Sequence, residues 1–204
     1  MEIDFLLKGL LIGFSIAAPV GAIGLLCINR TLSAGSLVGF VSGLGAATAD
    51  AVYGCIAGFG LTFISDFLVK QQFWFSLIGG LFLCYLGVKT FISKPANKNI
   101  EVSKSSLIKN YLSTFFLTLT NPTTILSFVA IFAGLGLGNT PTNHTATVLV
   151  LGVFLGSASW WLVLSSSVAL IRIKFNSGLF KLVNRISGTI IIAFGLVALF
   201  SIIK

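Results

Sequence analysis

Charge is what this sequence has least of. Only 9% of its 204 residues are Asp, Glu, Lys or Arg, against roughly a quarter in ordinary soluble domains. With 56% hydrophobic residues, that scarcity excludes a water-soluble fold. Histidine occurs once, at His144, and cysteine three times, at Cys27, Cys55 and Cys84. The cysteines stand too far apart for a local metal or redox motif, and all lie in the first half, so thiols paired between the two halves are excluded. They read as small packing residues. An intramembrane protease needs Ser and His within the bilayer, and His144 reads as a solvated loop residue. No cofactor and no metal site is implied. A basic leader is also lacking: the chain opens Met1-Glu2-Ile3-Asp4, so its first apolar run is expected to stay as a helix rather than act as a signal peptide.

What is abundant is long apolar sequence. Runs of roughly 18 or more such residues can cross a bilayer as helices, because each backbone donor and acceptor is satisfied within the segment. Six are expected, near Phe5–Ile28, Ser36–Phe63, Phe73–Ile92, Leu112–Leu137, Ala146–Ile171 and Leu179–Ile203. The net charge of +8 does not call for nucleic acid, because the basic residues cluster in alternate connections. Arg30 marks the first, Lys94, Lys98, Lys104 and Lys109 the third, and Arg172, Lys174, Lys181 and Arg185 the fifth. The second carries Lys70 beside Asp66, and 138–145 has no Lys or Arg. Basic loops stay in the cytoplasm, which predicts both termini outside.

The longest polar stretch, 94–109, separates two groups of three spans within a single membrane domain, 1–93 and 110–204. Three spans per half inverts the second relative to the first, a plan common among transporters. Internal similarity agrees. Pro19 in the first span answers Pro122 in the fourth; Gly39 and Gly43 answer Gly152 and Gly156; Gly80 and Gly87 answer Gly188 and Gly195. The expected fold is therefore all-α and membrane-integral: six transmembrane helices in two inverted three-helix repeats, with the first and fourth helices broken or kinked.

Proline removes a donor and frees a carbonyl one turn earlier. Pro19 with Gly21, and Pro122 after Asn121, therefore expose backbone polar groups in mid-membrane, where transporters place substrate and coupling ions; a kink satisfied by Ser or Thr is the alternative. Asp50 is the one acidic residue deep in a span, at a cost of about 2.5–3.5 kcal/mol on insertion scales. It shares a helical face with Gly39, Gly43, Ala46, Ala47 and Gly54, so it is expected to point into the bundle and to exchange a proton during transport, or else to tie helices together. Tyr53, one turn on, is a candidate hydrogen-bond partner for it, an interfacial or core tyrosine being the commoner alternative. Trp160 and Trp161, in mid-span, are candidates for the wall of a substrate cavity or for packing against neighbouring helices, and Thr123, Thr124 and Ser127 for a polar strip beyond Pro122 or for bonds back to their own helix carbonyls.

On these residues the chain resembles the LysE/RhtB family of amino-acid exporters. Ala18-Pro19-Val20-Gly21-Ala22-Ile23-Gly24, followed by Arg30-Thr31 and Gly35, looks like the family's proline-glycine motif and short first loop, and Asn121-Pro122 like its fourth-span motif. Gly39, Gly43 and Asp50, with Arg185-Ile186-Ser187-Gly188, are similar to further family positions. The resemblance implies proton-driven export of amino acids or similar small metabolites across a bacterial inner membrane. Its partners would be that substrate, protons and lipid; a homo-oligomer is compatible with it. Family members often have a second proline where this chain has Ala22, and many have Lys where it has Thr123. Exporters of basic amino acids can carry an acidic residue where it has Ser127, which tilts the reading toward a neutral substrate. A metal ion or other small solute is the alternative cargo, although cation carriers gather more ligands than Asp50 and scattered thiols. A thiol redox protein is the reading from another class.

Overall fold

The computed structural model describes residues 2–59, 67, 70–93, 104–121, 124–128, 131, 143–172 and 177–201, and the regular structure among them is helical. The first apolar run is two helices, α1 (Glu2–Ala17) and α2 (Ala22–Ala34), bent by 80°. The cause is Pro19, which has no N–H to extend the ladder and disfavours helical backbone in the residue before it. The last bond before it runs from the Ala18 N–H to the Phe14 carbonyl at 2.9 Å, and the Gly21 N–H donates to the Pro19 carbonyl at 2.9 Å. Helix resumes at Gly21, whose carbonyl accepts from the Leu25 N–H at 3.0 Å.

α2 continues past the expected end at Ile28. Asn29, Arg30 and Thr31, expected in a connection, are helical, with Asn29 and Thr31 buried. Gly35 alone makes the corner into α3 (Ser36–Gly58); its φ of 102° lies in the left-handed region that glycine adopts without strain. The remaining helices are α4 (Gln72–Phe91), α5 (Lys104–Leu119), α6 (Asn143–Arg172) and α7 (Ser177–Phe200). α5 begins inside the stretch expected to be linker, whose residues 94–103 lie outside the described residues. His144, expected in a loop, opens α6 with its side chain exposed. The second half of the expected fourth span is described only at 121, 124–128 and 131.

Among the described residues α3, α4, α6 and α7 are long and apolar enough to cross a membrane, and α1 with α2 makes a fifth if the bent pair is one span. Small residues set the packing by letting backbones approach closely. α1 lies along α6, where a Cβ on Gly9 or Gly13 would overlap the Leu149 or Val153 carbonyl. α4 lies along α7 through Gly80 against Gly195 and Gly87 against Gly188. α3 packs on α6 and on α5, with Gly43 beneath the Trp161 side chain and Gly45 against the Tyr111 carbonyl.

The two ends of the bundle differ in charge. At one, Asn29 donates to Asn184 at 2.6 Å, and the ends carrying Arg30, Lys89, Lys109, Lys181 and Arg185 come together. At the other, Glu2 lies 3.5 Å from His144, with Asp4 in the same first turn of α1. At the basic end the Arg30 guanidinium donates from α2 to Ser42 of α3 at 3.1 Å and to three groups of α5: the Asn110 carbonyl at 2.9 Å, Thr114 at 2.7 Å and Ser113 at 2.7 Å. A lysine cannot reproduce this planar fork. Arg30→Lys is expected to lose about 2 kcal/mol and to lower the unfolding temperature in detergent by about 4–8 °C; an unchanged melting curve would contradict the assigned role.

A candidate substrate cavity at the helix breaks

The break between α1 and α2 opens onto a cavity of about 260 Å³. One wall comes from the break itself: Pro19, Val20 and Gly21, then Ala22–Gly24 in the first turn of α2. First-turn N–H groups have no partner within their own helix and carry the positive end of its dipole. Facing them are Ala46 and Asp50 of α3, Thr118 of α5, Asn121, Thr124 and Ser127 beyond the end of α5, and Trp161 of α6. Helix ends here too: the Asn121 carbonyl accepts from the N–H groups of Thr124 at 3.1 Å and Ile125 at 3.2 Å.

Asp50 is 3% exposed. Its partner is Ser157 of α6, whose hydroxyl donates to Oδ2 at 2.7 Å and accepts from the Trp161 indole N–H at 3.1 Å. Trp161 therefore both walls the cavity and holds the hydroxyl that holds Asp50. A hydrogen bond to a charged group contributes about 1.5–3 kcal/mol, so Ser157→Ala is expected to slow transport about tenfold while Ser157→Thr retains most of it. Initial rates in proteoliposomes measure this, and an alanine variant at full rate would contradict it.

Of the residues singled out from sequence, Pro19, Gly21, Asp50, Asn121, Thr124, Ser127 and Trp161 share this one cavity. Pro122 and Thr123 lie outside the described residues. Tyr53 is a correction: its hydroxyl donates to the Leu119 carbonyl at 2.6 Å, and its ring rests on Phe128 at 5.5 Å. Leu119 ends α5, where carbonyls lack intrahelical donors, and Tyr53 satisfies that need rather than Asp50's. Trp160 does not line the cavity; it packs edge-on against Phe14 at 5.3 Å, within the contact between α1 and α6. Ser157 and Thr118 were not singled out beforehand. Cys27, Cys55 and Cys84 are free thiols. Among the described residues no three His, Cys, Asp or Glu come close enough together to hold a metal.

Comparison with known proteins agrees with the resemblance. The model of the LysE type translocator family matches residues 14–201. In Bacillus subtilis (strain 168) the chain is 27% identical over 198 residues to a protein named "Putative amino acid efflux protein YcgF", covering 94% of this chain and 93% of that one. It is 28% identical over 176 residues to "Uncharacterized membrane protein YahN" of Escherichia coli (strain K12), covering 83% and 77%. With "Uncharacterized membrane protein YrhP" of B. subtilis it shares 27% over 190 residues, 86% and 89%. No solved structure matches it.

Proposed function

Because the chain belongs to the LysE type translocator family, and is thus a multi-pass membrane transporter rather than an enzyme, we propose that it exports amino acids from the cytoplasm by proton antiport. The observation that carries this reading is the cavity itself, where a helix break, the first turn of α2, a buried carboxylate and several hydroxyls meet at one place. The N–H groups of α2 suit a substrate carboxylate. Asp50 suits a substrate ammonium, or a proton, in alternation as the site faces one side and then the other. The cargo named for the Bacillus relative, amino acids, fits a cavity bearing groups of both kinds.

The same reading takes the chain as six spans in two inverted halves, 1–93 and 110–204, joined by 94–109. Contacts support it. Exchanging Gly80 with Gly188 and Gly87 with Gly195 turns the Gly80–Gly195 contact into the Gly87–Gly188 contact, as a twofold between the halves requires. Gly45 against α5 and Gly152 against α1 correspond in the same way, and that correspondence sets Asp50 opposite Ser157, its hydrogen-bond partner. The basic end faces the cytoplasm by the positive-inside rule, placing both termini outside a bacterial inner membrane.

The test is uptake into everted membrane vesicles, with and without the protein, under an inside-acid pH gradient, over neutral, basic and acidic amino acids. Gradient-dependent uptake of one class is the expected result. If the inserted, folded protein moves no amino acid, the proposal fails, and other small solutes are the next panel.

A further inference from the structure

The cavity beside Asp50 has a more apolar neighbour. A second cavity, of about 300 Å³, shares Gly21, Ala22, Ile23 and Asn121 with it and extends along α4 and α7. Leu83, Leu117, Leu126, Phe194 and Val197 make its walls, and among the described residues no Asp, Glu, Lys, Arg or His lines it. Its polar side chains are Thr120 and Asn121 by the break and Gln72 and Ser201 at the far end. Gly21 lines both cavities, and among the described residues beyond its chain neighbours no heavy atom lies within 4 Å of the place its Cβ would take.

We propose that this chamber receives the substrate's side chain and makes the carrier selective for amino acids with apolar side chains. The inference rests on the amino-acid reading above. A molecule whose ammonium and carboxylate are held by Asp50 and the first turn of α2 has one further substituent, and the apolar chamber adjoins those groups across Gly21. A lysine or glutamate side chain entering it would leave water with no charged partner among the described residues, whereas each methylene of an apolar side chain gains by leaving water. The break between α1 and α2 thereby divides one bound molecule into a polar part and an apolar part.

The experiment measures transport of labelled alanine, 2-aminobutyrate, norvaline, phenylalanine, serine, lysine and glutamate by the purified protein in phosphatidylethanolamine–phosphatidylglycerol liposomes. Transport efficiency is expected to rise about fourfold per methylene from alanine to norvaline, with serine, lysine and glutamate at least about tenfold below norvaline. Leu83→Phe narrows the chamber and is expected to erase the difference between norvaline and alanine; Phe194→Ala widens it and is expected to shift preference toward phenylalanine. Equal transport across the panel, or a preference for charged members, overturns the inference and leaves amino-acid transport standing. A preference that survives both variants also overturns it and assigns the chamber to another occupant, such as a lipid acyl chain. If folded protein carries no member of the panel, the inference falls together with the reading beneath it.

Discussion

Asp50→Asn is expected to abolish gradient-driven amino-acid uptake, with the initial rate falling at least roughly a hundredfold, the scale of losing a proton-transferring group. The substitution is close to isosteric, and its amide oxygen can still accept from the Ser157 hydroxyl that now lies 2.7 Å from Asp50 Oδ2. Removing the carboxyl also removes the cost of an ionisable group within the membrane, so the variant is expected to fold at least as stably as the parent. What it loses is the ability to take up and release a proton. Exchange of amino acid for amino acid, which needs no net proton movement, is expected to survive in weakened form. The check is to measure gradient-driven uptake and exchange in the same vesicle preparation. Full gradient-driven uptake by the asparagine variant would remove Asp50 from the coupling mechanism.

Gly13→Leu is expected to prevent folding, while Gly21→Ala is expected to fold. Both glycines lie on the first apolar run, 8 positions apart, yet their surroundings are opposite. A Cβ on Gly13 would overlap the Val153 backbone carbonyl of α6, and a backbone atom held in a helix cannot rotate aside as a side chain can. α1 would have to leave α6, a separation expected to cost more than about 4 kcal/mol, a large part of the roughly 5–15 kcal/mol that holds an ordinary domain folded. A Cβ on Gly21 meets nothing within 4 Å, and the φ of −95° there is open to any residue. Its methyl would intrude on the junction between the polar and apolar cavities and slow transport without unfolding the chain. Size-exclusion profiles of detergent extracts separate the two outcomes. A monodisperse Gly13→Leu protein would show that the close contact between α1 and α6 is dispensable.

Much of this arrangement is legible in the residues alone, because membrane helices follow from apolar length. α3, α4, α6 and α7 match the runs read from composition to within a few residues at their ends, and the break follows from Pro19 and Gly21, whose effects are local. The extent of α2 is not legible, since an Asn-Arg-Thr sequence reads as a loop until its partners are known. Arg30 is held within a helix by Asn110, Ser113 and Thr114, more than 70 residues away, and no local pattern announces them. The partner of Asp50 was missed for a related reason. Pairing Gly39 and Gly43 with Gly152 and Gly156 by spacing sets Asp50 opposite Val163, near the two tryptophans, whereas its hydrogen-bond partner is Ser157, the position the proposed repeat reaches when Gly45 is matched with Gly152. Glycines recur often enough in these helices for spacing to admit more than one register. Tyr53 looked like Asp50's partner because one helical turn separates them, but the end of α5 supplies it with a better acceptor, the Leu119 carbonyl.

The central claim is that amino acid and proton move in opposite directions through the cavity beside Asp50. It is tested most directly with purified protein in liposomes that enclose a pH-sensitive dye, with equal pH on both sides and amino acid added outside. Antiport requires protons to leave as substrate enters, whichever way the protein is oriented, so the lumen is expected to turn alkaline with wild-type protein and to stay unchanged with Asp50→Asn. Amino-acid influx by wild-type protein with no change in lumen pH, or the same alkalinisation with Asp50→Asn, would contradict the account.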